Sequence, residues 1–287
     1  YAYGFFQKDS FYRADNKSID YKIRIIGSNI TLDRFYTNIN TVSIIQDLIK
    51  LSSPSSSEKT IFIWPEGILP DISQEELKKY SLLFDQNFSQ NHLFVIGTNN
   101  KVINNSSVNY FNSLSVYDNE LNILDYYNKI NLVPFGEFLP IENVLKVFGL
   151  KSITNNYQSF SKGKTRKVIE IKLQNSTIKV LPLICYEIIY SGKLFNNSSF
   201  DFIINISEDG WFGKSIGPKQ HFEHSIFRAI ESGKYIVRSS NNGKAAIINP
   251  IGVVEQSVDF GNSGYVDLIE MRKIQPTIFS KYGNKIF

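Results

Sequence analysis

The first half of the chain alternates between strand-like and helix-like spacing of apolar residues. Continuous or alternating β-branched runs predict strands, and apolar residues three and four positions apart predict helices. Helices are predicted at residues 41–53 and 73–88, the second capped by Ser73 or Asp71. Strands are predicted at residues 21–30, 60–67, 92–100, 109–118 and 123–132. This alternation is typical of a sheet with helices packed against it.

The second half of the chain contains paired strand patterns and one amphipathic helix. Residues 165–173 and 177–187 predict a hairpin around "QNS", and residues 200–213 predict a buried strand that leads into a turn. Residues 220–233 predict a helix that ends at a glycine. Two strands around "NNG" and a last strand, "GYVDLIE", follow. We therefore predict an α/β fold in one compact domain, with a mixed sheet and helices on its faces.

Composition narrows the class of protein. Hydrophobic residues make up 42% of the 287 residues, enough for a full core, and the basic residues behind the net charge of +4 are scattered. Scattered basic residues argue against nucleic acid as a partner. No window approaches the roughly 18 apolar residues of a membrane helix, and neither a signal peptide nor an initiator Met is present. We therefore expect a segment of a longer protein.

Glu66 follows a short apolar strand in "IFIWPEG". Pro65 and Gly67 brace it, and ligands in α/β folds gather at strand ends. A partly desolvated carboxylate at such a place suits a proton acceptor. The alternative is an ordinary acid in a surface loop.

Lys129 lies in the strand-like run "YYNKINL", and Glu137 follows in a loop braced by Pro and Gly. The lysine either extends outward to solvent or directs a fixed positive charge into a pocket. In the second case it would stabilise a developing oxyanion.

Cys185, the only cysteine in the chain, lies in the apolar run "LPLICYEIIY". It is either inert core packing or a nucleophile. Glu187 would share its sheet face if the strand continued, and a core face does not favour a carboxylate. A break in the strand after Cys185 would place the thiol at a turn and account for Glu187 more easily.

The segment "NISEDGWFG" is a further candidate, because Asn205, Glu208 and Asp209 leave a buried strand beside Trp211. It is either a capped loop or a pocket wall. His221 and His224 could share a helix face, but no further ligand spacing supports a metal site. Motifs for nucleotide binding and for a serine nucleophile are absent from the sequence.

The chain order of Glu66, Lys129 and Cys185 resembles the carbon–nitrogen hydrolase (nitrilase) superfamily, whose catalytic set is Glu, Lys and Cys. The motifs "NKINLVPFGEFLP", "ICYE", "NISEDGWFG" and "QH…RAIESGKYIVRSSNNG" are similar to those of the extracytoplasmic domain of the bacterial apolipoprotein N-acyltransferase family. The resemblance covers residues 21–268. It implies a nitrilase-like four-layer α-β-β-α sandwich in a single domain. Residues 1–20 and 269–287 would be connecting segments, the second leading toward a membrane helix absent from this chain.

The resemblance also implies roles for individual residues. Cys185 would be the nucleophile, Glu66 the general base and Lys129 the cation that supports the tetrahedral intermediate. The supporting or substrate-binding positions that it implies are Glu137, Tyr186, Glu187, Trp211 and Tyr36. Tyr36 stands where the family has Trp, and Glu208 stands where it usually has Asn.

The implied activity is transfer of a fatty acyl chain from a phospholipid to the N-terminal diacylglyceryl-cysteine amine of apolipoproteins, through a thioester on Cys185. No cofactor and no metal are implied. The implied location is the bacterial inner membrane, with this domain facing the periplasm. The alternatives are a soluble amidase or nitrilase acting on a small amide, and a degenerate sandwich that serves as a binding module.

Overall fold

The protein is described by a computed structural model that covers residues 2–37, 40–104, 107–138, 159–192 and 199–286. The α-helices of these ranges are α1 Ala2–Arg13, α2 Thr41–Ser52, α3 Ser81–Asp85, α4 Gly217–Ser232 and α5 Ile278–Tyr282. The strands are β1 Asn16–Ser28, β2 Thr60–Ile63, β3 His92–Asn104, β4 Ser107–Tyr117, β5 Ile123–Asn128, β6 Ile169–Lys172, β7 Thr177–Ile184, β8 Phe202–Glu208, β9 Ile236–Asn241, β10 Ala245–Ile248, β11 Val254–Val258 and β12 Gly264–Arg272. Short 3-10 helices span Leu32–Phe35, Glu76–Tyr80, Cys185–Ile189, Asp209–Phe212 and Gly283–Ile286.

The strands form two halves that meet in the middle. One half runs β5-β4-β3-β2-β1 with β12 beside β1, and the other runs β9-β8-β7-β6 with β10 and β11 beyond β9. The halves join where Gly27 and Ser28 of β1 pair in parallel with Ser240 and Asn241 of β9. β1, β2 and β3 are parallel to one another, as are β7, β8 and β9. The carboxyl ends of both parallel sets are therefore available for one shared site.

Burial on alternate strand positions shows how the layers stack. In β2, Ile61 and Ile63 belong to a central core that also contains Ile204 and Ile206 of β8. The intervening Phe62 packs in a second core that includes the buried face of α2. Residues of β8 and β9 on the other outer face contact α4 in a third core. Two sheets face to face between two helical layers form the predicted α-β-β-α sandwich, and this prediction is confirmed.

The predicted helix at 73–88 is present only over residues 76–85, first as a 3-10 helix and then as an α-helix, and its predicted start is wrong. The main-chain N–H of Gln74 donates to the carbonyl of Asn99 at 2.8 Å, and Ser73 forms a bridge with the same residue. The side chain of Glu76 accepts from the N–H of Ser73 at 3.1 Å. Residues 73–74 therefore pair with β3, and regular α-helix is limited to Ser81–Asp85.

Two predicted strands end earlier than expected. β5 ends at Asn128 rather than at residue 132, and β7 ends at Ile184 rather than at residue 187. Lys129 and Cys185 thus stand one residue beyond their strands, where side chains can turn toward a cavity. The break at Cys185 that the sequence favoured is present as the start of a 3-10 helix.

The ends of the described chain extend the sheet. β1 begins at Asn16 and pairs with Arg272 of β12, so the ordered sheet reaches beyond both ends of the predicted 21–268 domain. The division into one domain and two connecting segments stays a prediction. Within the described ranges, no helix combines the length and apolar character that crossing a bilayer requires.

Candidate active site

Glu66 is held just past β2 by the packing of its neighbours. Trp64 is fully buried and donates its indole N–H to Ser52 Oγ of α2 at 2.9 Å. On the other side, a Cβ at Gly97 would come within 2.6 Å of Glu66 Cα, so β3 can approach this turn only with glycine there. The Glu66 side chain is 7% exposed. This burial excludes the alternative that Glu66 is an ordinary acid in a solvated surface loop.

Lys129 points into the interior beside Glu66. Its main-chain N–H donates to the carbonyl of Asn112 at 2.8 Å, which fixes the residue where β5 ends. The side chain is 1% exposed, and Nζ lies 3.1 Å from Glu66 Oε1 and 3.0 Å from Glu137 Oε1. Burial lowers the pKa of Lys129, but the charges of Glu137 and Glu66 outweigh burial and raise it well above its ordinary value. Lys129 is therefore a fixed cation.

Asn112 of β4 joins the two carboxylates. Its Nδ2 donates to Glu66 Oε1 and to Glu137 Oε1, each at 2.7 Å. Glu137 Oε2 accepts from the N–H of Val133 at 2.8 Å. Glu137 thus neutralises the charge of Lys129 and holds its side chain in place. Through the bond from Val133, the Glu137 carboxylate also closes the loop that carries Glu137.

Cys185 begins a 3-10 helix directly after β7, with φ at 46°. A non-glycine residue in this left-handed region is strained and is found where function requires the geometry. Burial, with a further contribution from Glu66, raises the pKa of the Cys185 thiol well above its ordinary value, against the opposing effect of Lys129. The resting group is therefore the neutral thiol, which needs a base to become a nucleophile.

Glu187 lies behind the cavity rather than in it. Because a 3-10 helix replaces the strand, its side chain is fully buried and turns back to accept the N–H of Ile184 at 3.0 Å. It also accepts the hydroxyl of Tyr127 at 2.7 Å and the N–H groups of Ile130 and Asn131 at 3.0 and 3.2 Å. Glu187 therefore ties the turn that carries the thiol to the segment that follows Lys129.

A cavity of about 340 Å³ connects these groups. Its polar lining comes from Glu66, Lys129, Glu137, Asn112, Asn99, Glu208 and Cys185. Its remaining lining is mostly apolar or aromatic, from Phe35, Gly67, Pro70, Val133, Gly136, Phe160, Tyr186, Trp211 and Phe212. Trp211 packs against Phe35 with ring centres 4.9 Å apart. Tyr36 is 60% exposed, lies outside this lining and meets the Trp211 ring edge-on at 6.5 Å.

Glu208, the residue that departs from the resembled pattern, is buried and fully bonded. Its carboxylate contacts the guanidinium of Arg34, which is itself buried. It also accepts from Asn241 Nδ2 at 2.7 Å and from the N–H of Gly210 at 2.8 Å. Its main-chain N–H donates to Glu66 Oε2 at 3.0 Å. Glu208 is therefore paired with a buried cation in this chain.

Asp209 anchors a second buried cluster beside the thiol. Arg238 Nη2 donates to its two carboxylate oxygens at 3.0 and 2.8 Å, and His221 Nδ1 lies 2.8 Å from Oδ1. Burial acts to raise the pKa of Asp209, yet Arg238 and His221 hold it well below its usual range. In the described ranges no group of three or more His, Cys, Asp or Glu side chains is arranged to hold a metal ion.

The structure thus brings most of the predicted residues together. Glu66, Lys129, Glu137, Cys185, Tyr186 and Trp211 all line one cavity, whereas Glu187 and Tyr36 do not. Sequence reasoning missed Asn112, Arg34, Phe35 and Phe160. Asn112 alternates with apolar residues as any polar strand residue does, and Arg34 lies in a short polar segment, so neither carried a distinguishing signal.

Separate comparisons with known proteins agree on one family. A model of the carbon-nitrogen hydrolase family matches residues 57–268. An apolipoprotein N-acyltransferase of Bradyrhizobium diazoefficiens is 31% identical over 92% of this chain and 50% of its own length. One from Rickettsia prowazekii is 35% identical over 78% of this chain and 44% of its own length. The chain therefore spans about half the length of the curated relatives it matches.

Among solved structures, a mutant of the amidase from Nesterenkonia sp. AN1 has a similar fold. It superposes with a TM-score of 0.58 at 11% identity, covering 93% of this chain and 97% of the amidase chain. That structure shows acrylamide added at the amidase's active-site cysteine. The match of the family model over most of the chain, together with this fold, shows that the chain belongs to the carbon-nitrogen hydrolase family.

Proposed function

We propose that this chain is the catalytic domain of an apolipoprotein N-acyltransferase, with Cys185 as nucleophile, Glu66 as general base and Lys129 as stabilising cation. The observation that carries the proposal is the single cavity in which a buried thiol, a hydrogen-bonded carboxylate and a fixed ammonium group meet. The curated relatives bearing that name support the choice of reaction.

In the first half-reaction a phospholipid ester carbonyl enters the cavity. Glu66 takes the thiol proton as Cys185 Sγ attacks the carbonyl carbon. The developing oxyanion is met by Lys129 and by the main-chain N–H of Tyr186, a group in the first turn of a 3-10 helix. One such donor is typically worth about 3 kcal/mol in the transition state. The C–O bond then breaks, Glu66 returns the proton to the leaving oxygen, and a lysophospholipid departs from the Cys185 thioester.

In the second half-reaction the α-amine of a diacylglyceryl-modified apolipoprotein attacks the thioester carbonyl. Glu66 takes one amine proton, and collapse of the tetrahedral intermediate expels the Cys185 thiolate. The thiolate recovers its proton from Glu66, so the enzyme ends in its starting state. Because both acyl donor and acceptor use one site in turn, the kinetics are ping-pong.

The walls of the cavity favour an acyl chain over a small polar amide. Phe35, Phe160, Trp211 and Phe212 present aromatic surface beside the reactive groups. An amidase of the same family, the competing function, would release ammonia and let water resolve the thioester. Apolar walls suit a long acyl chain and exclude water from the thioester.

We propose that the domain works at the periplasmic surface of the bacterial inner membrane. Both proposed substrates are lipids that do not readily leave a bilayer. Residues 1–20 and 269–287 are proposed to connect the 21–268 domain to membrane helices, and no cofactor is needed for the two half-reactions.

The test uses the full-length protein incubated with phospholipid, followed by intact mass and peptide mapping. The expected result is a long acyl chain on Cys185, which is lost when a diacylglyceryl-cysteine peptide is added and reappears as an amide on that peptide. Cys185→Ala should abolish both steps. Full transfer by the Ala variant would end the proposal, and release of free fatty acid without peptide acylation would favour the hydrolase.

A further inference from the structure

His221 of α4 occupies a buried position against the backbone of Cys185. The side chain is 3% exposed and lies between two acceptors. Nε2 is 3.1 Å from the carbonyl oxygen of Cys185, and Nδ1 is 2.8 Å from Asp209 Oδ1. The ring therefore links the residue that carries the thiol to the anion at the end of β8.

The partners fix the orientation of the ring. A carbonyl oxygen only accepts hydrogen bonds, so Nε2 must carry a proton to bond Cys185. Nδ1 lies 2.8 Å from Asp209 Oδ1 and 3.2 Å from Arg238 Nη2, so the opposite edge of the ring is held by a second pair of polar contacts. His221 therefore directs its Nε2–H at the Cys185 carbonyl.

We propose that His221 is a positioning residue whose Nε2–H holds the Cys185 carbonyl, so that the strained turn presents the thiol to the cavity. Cys185 has φ at 46°, a conformation that needs support from its surroundings. Asp209, which His221 Nδ1 contacts, also accepts the hydroxyl of Ser207 at 2.8 Å, so the ring rests on an anchored group.

The neighbours of His221 are identified on every side. Asp209 follows β8, Arg238 comes from β9, Cys185 follows β7, and His224 lies one turn further along α4. Phe212 covers the ring with centroids 5.2 Å apart. Only the consequence of this arrangement for catalysis rests on the proposed function, because the hydrogen bond to the Cys185 carbonyl and the turn geometry follow from the contacts alone.

The test compares His221→Leu, His221→Gln and the matched control His224→Gln in the full-length protein. The first readout is the alkylation rate of Cys185 with iodoacetamide, which needs no lipid. His221→Leu should slow alkylation, and the acylation kcat, by about tenfold or more with an unchanged KM. His221→Gln, which keeps a donor for the Cys185 carbonyl, should recover part of the loss. His224→Gln should match the wild type.

The second readout is the ¹⁵N spectrum of the His221 ring in wild-type protein labelled at histidine, which stays informative if a variant fails to fold. Nε2 should carry a proton that is hydrogen-bonded to a carbonyl oxygen. An unprotonated Nε2, or alkylation of His221→Leu at the wild-type rate, would overturn the inference. If both readouts behave as expected while no acyl chain is transferred, the proposed function fails and the role of His221 stands.

Discussion

The main-chain N–H of Glu208 donates a hydrogen bond to Glu66 Oε2 at 3.0 Å, and this contact joins the two halves of the sheet at the cavity. Glu66 follows β2 in one half, and Glu208 ends β8 in the other. Oε1 of Glu66 meanwhile accepts from Lys129 and Asn112. Donors on both oxygens hold the carboxylate in place in the cavity that Cys185 also lines, where the proposed general base is required.

Replacing Glu66 with Gln removes both the proton acceptor and the negative charge, and two measurements distinguish the two effects. The Gln side chain has nearly the same shape but cannot take a proton, so acylation of Cys185 should fall by about a hundredfold or more. The negative charge of Glu66 helps to raise the pKa of the thiol, so its removal should lower that pKa. The pH profile of iodoacetamide alkylation should therefore move to lower pH while acyl transfer is lost.

Glu75→Gln provides the control, because Glu75 is exposed and distant from the cavity lining. It should leave both the acylation rate and the alkylation profile at wild-type values. Acyl transfer by Glu66→Gln at the wild-type rate would show that another group takes the thiol proton.

Lys129→Arg tests whether the ammonium group must be compact. Arg keeps the charge, but its planar fork cannot fit between Glu66 and Glu137, whose oxygens lie 3.1 and 3.0 Å from Nζ. We expect kcat for acylation to fall by at least about tenfold, and Lys129→Met to cost about a hundredfold, the usual effect of losing one oxyanion donor.

Lys167→Arg is the matched control, since its side chain is 43% exposed and pairs with Asp125 on the surface. Its kinetics should be those of the wild type. Normal turnover by Lys129→Arg would mean that the position needs only a diffuse positive charge, and the oxyanion role would have to be assigned elsewhere.

The positions of Glu66, Lys129 and Cys185 could be predicted because each follows a recognisable apolar strand. Strand ends at one edge of a sandwich converge, so the linear motifs predicted three residues that line one cavity, and their catalytic roles stay a prediction. Asn112 could not be found in this way, because an Asn within a strand has the same local pattern whether it bonds water or two carboxylates. Its role depends on Glu66 and Glu137, which are brought to it only by folding.

Non-local pairing also explains the errors in secondary structure. Residues 73–74 have helical spacing and a plausible cap, yet their backbone bonds go to β3, so tertiary contacts override the local preference. Glu187 would share a sheet face with Cys185 if the strand continued. The change to a 3-10 helix instead turns the Glu187 side chain away from the cavity. A carboxylate two positions after the thiol is accounted for by that break, one of the two possibilities that the sequence left open.

Glu187→Gln should destabilise the protein and displace the thiol. The carboxylate accepts from main-chain N–H groups on both sides, at Ile184 and Ile130, and an amide cannot accept with its nitrogen. Loss of hydrogen bonds to a buried charged group costs about 2 kcal/mol, and the apparent melting temperature should fall by several degrees. The alkylation rate of Cys185 should fall with it.

Glu170→Gln makes the same chemical change at an exposed surface pair with Lys179. Its melting temperature should be unchanged, because such pairs contribute little. A melting temperature for Glu187→Gln equal to that of the wild type would show that the turn is held mainly by strand β7 and not by this carboxylate.

The Arg34–Glu208 pair gives the last prediction, because it connects the aromatic wall to the base. Arg34 donates to the carbonyl of Thr31 at 2.9 Å as well as to Glu208, and its guanidinium lies over the ring of Phe35 at 4.4 Å. Arg34→Met leaves a buried carboxylate without its cation, which typically costs about 3–5 kcal/mol. We expect a lower melting temperature and a raised KM for the phospholipid, since Phe35 loses its support.

The double variant Arg34→Met/Glu208→Asn removes both charges and should regain part of the stability lost in Arg34→Met. This recovery, measured as the coupling term of a double-mutant cycle, distinguishes a specific ion pair from general loss of packing. Arg13→Met is the matched control, because Arg13 forms an exposed pair with Asp9 on α1. Additive effects of the two substitutions would mean that Glu208 is stabilised by Asn241 and Gly210 alone, and that Arg34 acts only through its contact with the wall.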